Sequence, residues 1–263
     1  MYTLQSKDGT RIAYDKIGSG EAVILVDGAF CSRGFGPMSK IAALLSKTFT
    51  VYTYDRRGRG DSGDTKPYSV QREIDDVNAL IGVAGGEARL FGISSGAMLC
   101  LEAAAVLPVK KIAVFEPPYV KNYRKKPVGD FLAPLKKLVE EGDKGGAVQF
   151  YLRAVMGVPA IVPFLLRLTP NWRKMKANAA ALVYDATIAG DFSIPTATIS
   201  AIEKPVLVLC SNGSPAILQR PAEELSNLLP DGRYLAVKGG IHDVPAKIVV
   251  PVLDNFFKVN TIQ

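Results

Sequence analysis

Short, uninterrupted apolar runs recur along the chain, each followed by a stretch of helix length, and this alternation constrains the fold more than any other feature. Ala22–Val26 reads AVILV, as a strand covered on both faces requires. Phe49–Tyr54 (FTVYTY), Ala88–Ile93 (ARLFGI), Lys111–Phe115 (KIAVF), Val206–Cys210 (VLVLC) and Arg233–Val237 repeat the theme. Between them, apolar residues fall at helical spacing over 37–47, 70–83, 95–107, 221–229 and 246–258. Strands joined by helices imply crossover units, hence an α/β fold with a mostly parallel central sheet and helices on both faces. Residues 2–6 and 11–17 flank the turn Lys7-Asp8-Gly9 and predict an opening hairpin.

The alternation stops between Pro117 and about Lys204. Helical segments are expected there near 130–141, 144–156, 160–168 and 171–184, separated by prolines such as Pro127, Pro159, Pro170 and Pro195. The expected division is therefore a core domain of 1–116 and 205–263 and an inserted helical segment of 117–204.

Composition narrows the function classes. At 263 residues, with 48% apolar and 22% charged, the chain is of ordinary globular make-up. Such a chain buries roughly 70–75% of its unfolded surface and needs no disulfide or metal to fold. Lys and Arg number 32 against 25 Asp and Glu, a net charge of +7. The basic residues are scattered apart from one cluster, Lys121, Arg124, Lys125 and Lys126, which reads as a solvated face. No nucleic-acid-binding motif accompanies it, so no nucleic-acid partner is expected. The opening MYTLQSKDGTR has no apolar h-region, and the most apolar stretch, 159–168, is too short to span a bilayer. No membrane partner is expected, and a cytoplasmic location is. Cys31, Cys100 and Cys210 lie far apart with no CxxC spacing, which argues against a disulfide framework or zinc site. Cys100 and Cys210 lie in apolar runs and read as buried small hydrophobes. No cofactor and no metal are expected.

The chemistry-bearing motif is Gly92-Ile93-Ser94-Ser95-Gly96, a G-x-S-x-G set directly between an expected strand and an expected helix. A strand that turns at once into a helix strains its central residue, and side chains two positions either way would collide. Glycine at both positions removes them and leaves the Ser94 hydroxyl exposed at the carboxyl edge of the sheet. The competing reading is a Gly-rich packing turn. His242 is the only histidine of the chain, so any histidine-based mechanism has one candidate.

On these residues the chain resembles the α/β-hydrolase family over nearly its full length. Asp55-Arg56-Arg57-Gly58-Arg59-Gly60-Asp61-Ser62 is similar to the family's D-x-R-G-x-G-x-S loop, and Asp27-Gly28 stands where the family usually has His-Gly. His242 follows the last strand, at the position of the family's catalytic histidine. The resemblance implies an α/β-hydrolase sheet with a helical cap over 117–204. It also implies Ser94 as nucleophile, His242 as general base, and the N–H groups of Ser95 and Ala29 as oxyanion donors.

Two departures accompany the resemblance. The family's usual acid follows the strand written here VLVLC, but Ser214 occupies that slot. Some members carry the acid one strand earlier, which here is Glu116. Glu116 is thus either the third triad member or a carboxylate anchoring the hinge of the insertion; Asp185 and Asp191 are further candidates, and Asp243 is expected to point away. Asp27 would oppose an oxyanion, so it is expected to bond loop amides rather than face substrate. Phe30 and Arg33 are candidates for the pocket mouth, with Arg33 either receiving an anionic substrate group or serving as a surface arginine.

Gly58 to Gly63 also matches G-x-G-x-x-G, but Pro67 intervenes before the next helix, whereas a dinucleotide loop opens its helix at once. The expected activity is cofactor-independent cleavage of a small carboxylic ester, lactone or thioester through an acyl-enzyme, with a small-molecule acyl substrate as partner. A homodimer is an open assembly. Two alternatives stand beside it: a non-hydrolytic enzyme on the same scaffold (a lyase, a cofactor-free haloperoxidase-like enzyme or a C–C bond hydrolase), and a ligand-binding protein without turnover.

Overall fold

The computed structural model describes residues 1–124 and 129–258; Lys125, Lys126 and Pro127 of the basic cluster and proline joints lie outside them. Eight strands form one sheet: β1 (Tyr2–Gln5), β2 (Arg11–Ile17), β3 (Ala22–Val26), β4 (Thr50–Tyr54), β5 (Ala88–Ile93), β6 (Val109–Phe115), β7 (Val206–Ser211) and β8 (Gly232–Val237). Their order is β1-β2-β4-β3-β5-β6-β7-β8. The opening hairpin pairs antiparallel, β2 joins β4 antiparallel, and every pairing from β4 to β8 is parallel.

The apolar runs divide by strand periodicity between two cores. In AVILV, Val23 and Leu25 enter one cluster while Ile24 and Val26 enter the other. Ala113 and Phe115 of β6 likewise face away from Ile112 and Val114. On the first face lie α1 (Met38–Leu45) and the C-terminal helix over Ala246–Lys258, whose Leu253 and Phe257 pack with Ile41 and Leu45. On the other face lie α2 (Val70–Val83) and α3 (Ser95–Val106). Because α3 is covered both by the sheet and by inserted helices, Ser95 to Leu101 is buried without a break, and the helix has no polar stripe.

Between β6 and β7 the described residues form helices only: α4 (Leu132–Glu140), α5 (Lys144–Phe150), α6 (Ile161–Leu166), α7 (Pro170–Ala177), α8 (Leu182–Ala189) and α9 (Thr196–Ser200). The expected helix over 144–156 is α5 running into a π-helical turn, Tyr151–Val155. The expected helix over 171–184 breaks after Ala177 into the 3-10 turn Ala179–Ala181 before α8 begins. Helix α10 spans Ala216–Leu228, so Pro221 is interior rather than initial; its buried face of Pro221, Ala222 and Leu225 compensates for the missing N–H. The C-terminal helix is thus α11. Among the described residues no helix is long and apolar enough to cross a membrane.

Candidate active site

Five loops leave the carboxyl ends of parallel strands and converge, the edge where open α/β sheets bind ligands. They carry Asp27 after β3, Ser94 after β5, Glu116 after β6, Ser214 after β7 and His242 after β8. Ser94 has φ 52° and ψ −124°, a conformation costly for a side-chain-bearing residue. The flanking glycines permit it. A Cβ on Gly92 would lie 2.5 Å from the Gly96 carbonyl oxygen, and one on Gly96 would lie 2.4 Å from the carbonyl oxygens of Val26 and Asp27. The β3 backbone, not a side chain of residue 92, fills the space beside Gly96.

Among the described residues five non-glycine positions have positive φ: Phe30, Ser94, Glu116, Phe192 and His242. Ser94, His242 and Phe192 line one cavity of roughly 470 Å³, and Phe30 packs edge-to-face on Tyr151, which lines it too. Backbone strain is therefore concentrated at this one place, as it is where tertiary contacts over-determine a functional geometry.

Glu116 Oε2 lies 2.6 Å from His242 Nδ1. The carboxylate is fully buried, while the imidazole is 29% exposed to the cavity. Its other oxygen accepts the Ser211 N–H at 2.8 Å and the Cys210 thiol at 3.1 Å. Ser214, in the vacant acid slot, donates its hydroxyl to Glu116 and accepts the His242 N–H at 2.9 Å. Burial alone would raise the Glu116 pKa, but the bonds from His242, Ser211 and Ser214 hold it below the ordinary carboxylate range. An ionised carboxylate only accepts, so Nδ1 carries the proton and Nε2 is the basic nitrogen.

Ser95 opens α3, so its N–H has no acceptor within the helix. Ala29 lines the cavity, and the Gly28 carbonyl accepts from Arg59 Nη1 at 2.7 Å. Because a peptide unit is planar and trans, that bond turns the Ala29 N–H of the same unit away from Arg59. Arg59 is itself fixed by Asp185 of α8 at 2.7 Å, and the same Asp185 oxygen accepts from Arg56 at 2.9 Å and from the Ser95 hydroxyl at 2.7 Å. Burial would raise Asp185, yet Arg59 and Arg56 hold it low. Asp185 thus ties the insertion to the floor beneath Ser94 and is remote from the imidazole's Nδ1, which Glu116 occupies. Asp191 is spent on Lys121 and Ser193 at the surface. The sequence marks Ser214 in the acid slot and Asp185 as a candidate acid, but it carries no signal for the bonds from Ser214 to His242 or from Asp185 to Arg59, which close loops of 28 and 126 residues.

Asp27 does not line the cavity. It accepts from the Cys31 thiol and the Gly28 N–H, and it lies against Gly36, where a Cβ would come within 3.0 Å of both its oxygens. Burial pushes its pKa up to about 7 despite the nearby Arg59 guanidinium. The expectation for Arg33 is corrected. Its guanidinium is held by Asp55 at 3.1 Å, Asp15 at 2.5 Å and Asp61 at 2.7 Å, so it braces the loops after β3 and β4 and does not reach the cavity. Phe30 stands behind Tyr151 rather than at the mouth. Arg124 is corrected in the opposite sense: it lines the cavity instead of facing solvent.

A model of the alpha/beta hydrolase family matches residues 23–247. An alpha/beta hydrolase from Sphaerobacter thermophilus DSM 20745 is 44% identical over 98% of this chain and 100% of that one, with a TM-score of 0.93. The enol-lactonase from Burkholderia xenovorans LB400 shares the fold at 19% identity, covering 98% of this chain and 97% of that one, with a TM-score of 0.70. Uncharacterized hydrolase YraK of Bacillus subtilis (strain 168) is 36% identical over 101 residues, 36% of this chain and 35% of that protein. The chain thus matches about a third of that curated relative's length. With the family model spanning most of the sheet and the whole insertion, the chain belongs to the alpha/beta hydrolase family.

Proposed function

We propose that this hydrolase is a serine enzyme that cleaves a small carboxylic ester, lactone or thioester in the cytoplasm, with residues 117–204 as its cap. The observation that carries the reading is the 2.6 Å bond from His242 to a buried, ionised Glu116, with His242 and Ser94 lining one cavity. Serine is a poor nucleophile until a base takes its proton. His242 Nε2 accepts that proton as Ser94 Oγ attacks the acyl carbon, and Glu116 stabilises the resulting imidazolium through Nδ1–H. The N–H groups of Ser95 and Ala29 receive the tetrahedral oxyanion. His242 then protonates the leaving alkoxide or thiolate, and a water activated by the same nitrogen releases the acid. A cavity of roughly 470 Å³ suits a small molecule.

Covalent labelling with a fluorophosphonate, located by peptide mass spectrometry, tests this in wild type, Ser94→Ala and Glu116→Gln. Label on Ser94, sharply slowed in Glu116→Gln, is expected. Label indifferent to Glu116 moves the acid elsewhere, and no label on folded wild type leaves a binding protein.

A further inference from the structure

Buried arginines in this molecule follow a rule that one of them breaks. Arg33, Arg56, Arg57, Arg59 and Arg89 each meet at least one carboxylate. Arg124 is part-buried and lines the cavity over Ser94, yet no carboxylate among the described residues pairs with it. The neighbouring residues 125–128 read KKPV and contain no acid. One N–H of Arg124 goes to the Val155 carbonyl at the end of the π-helical turn, and its Cζ lies over the Phe192 ring, 5.1 Å from the centroid. Burial pushes its pKa down, and no acid pushes it back.

The surroundings sharpen the anomaly. Apart from Ser94, His242 and Tyr151, the cavity wall is made of apolar or backbone groups such as Pro118, Val120, Met156 and Leu218. A guanidinium offers five N–H donors in a planar fork that matches a carboxylate edge-on. Bonding Val155 uses one of them, and a lysine would serve that carbonyl as well. The cation–π contact with Phe192 takes up no N–H donor. A partly desolvated cation facing an apolar chamber is left with donors for an anion that no carboxylate among the described residues supplies.

We propose that Arg124 receives a carboxylate on the acyl substrate, so that the site selects hemiesters or lactone acids over neutral esters. The reaction named here rests on the serine-hydrolase reading; the anion site does not. The acyl carbon must reach Ser94 while the carboxylate meets Arg124 within one chamber, which restricts the spacer to a few carbons.

The test compares 4-nitrophenyl hydrogen glutarate with its neutral methyl ester, which share leaving group and chain length. Wild type is expected to favour the hemiester by about 10–100-fold in kcat/KM, mainly through KM, the scale of a charge-assisted bond. Arg124→Gln should collapse that ratio toward one, and Arg124→Lys should restore part of it. Equal losses on both esters, or no preference in wild type, overturn the proposal and leave Arg124 as a helix-end brace. Calorimetric titration of glutarate into Ser94→Ala, with and without Arg124→Gln, reads the anion site without turnover. Binding that requires Arg124 supports the site even where neither ester is cleaved, in which case the hydrolase reading alone falls. No binding alongside turnover of the neutral ester overturns the anion site alone, and neither binding nor turnover overturns both.

Discussion

The loops that leave β3 and β6 each carry a carboxyl group into the interior beside Ser94, and they hold it in opposite states. Glu116 collects donors from His242, Ser211, Cys210 and Ser214, and stays ionised although fully buried. Asp27 has guanidinium groups nearby but few donors, one of its oxygens has no partner, and burial lifts its pKa to about 7. Directed hydrogen bonds, more than proximity to positive charge, decide which carboxyl can serve an imidazolium. The consequences for pH have opposite signs. Glu116 contributes stability present above its ordinary value of 4.5 and lost as pH falls through its lowered folded value. Asp27 keeps a proton that the unfolded chain gives up above 3.8, so its contribution declines as pH rises from about 4 to 7 and is level above that.

Removing the charge from the β6 loop breaks the comparison most severely. Glu116→Gln should lower kcat by about 10⁴, the scale seen when a triad loses its acid while keeping shape, measured by steady-state turnover of an aryl ester. An effect under tenfold would mean that another group orients His242. On the β3 side, Arg59→Met frees the Gly28–Ala29 peptide without touching the proposed oxyanion donor, the Ala29 N–H, itself. A loss in kcat on the order of 10²-fold is expected, approaching that of deleting such a donor. Thermal melting of the variant, and retained fluorophosphonate labelling of Ser94, separate misaimed donor from lost fold.

Asp27→Asn is a stability experiment. Denaturant unfolding from pH 4 to 8 should show a flatter pH slope than wild type, and a gain on the order of 1–3 kcal/mol at pH 8, since each pKa unit corresponds to about 1.4 kcal/mol. A parallel slope in both proteins would place the proton elsewhere. The smallest effect is expected from Ser214→Ala, which removes one donor to Glu116 and the acceptor of the His242 N–H. About tenfold in kcat is the scale of one hydrogen bond to a charged group. The stability that Glu116 contributes above its ordinary value of 4.5, and that is lost on acidification, should also shrink, because Glu116 loses a bond that favours its ionised form.

Where the chain could be read directly, the reading rested on local physics. The elbow needs glycine at 92 and 96 because backbone atoms occupy the space their side chains would take, and this compresses into five consecutive residues. AVILV announces a doubly covered strand because its two faces feed two cores. The inserted segment was legible as helical but not in its breaks. The turn from α5 into a π-helix, and the interruption after Ala177, answer to packing against the core rather than to any local pattern.

The sequence by itself determined the parallel α/β sheet, the strained serine between strand and helix, and a single histidine after the last strand. Each follows from residue spacing within one element or from a count. Only the tertiary structure decided which arginines meet carboxylates and which does not: Arg33 and Arg124 look alike along the chain, but one is enclosed by Asp15, Asp55 and Asp61 and the other faces an apolar chamber. It also decided that Ser214 supports Glu116 and that Asp185 braces Arg59. The physical reason is range: a charge is fixed by whatever surrounds it in space, and those partners lie tens to more than a hundred residues away along the chain.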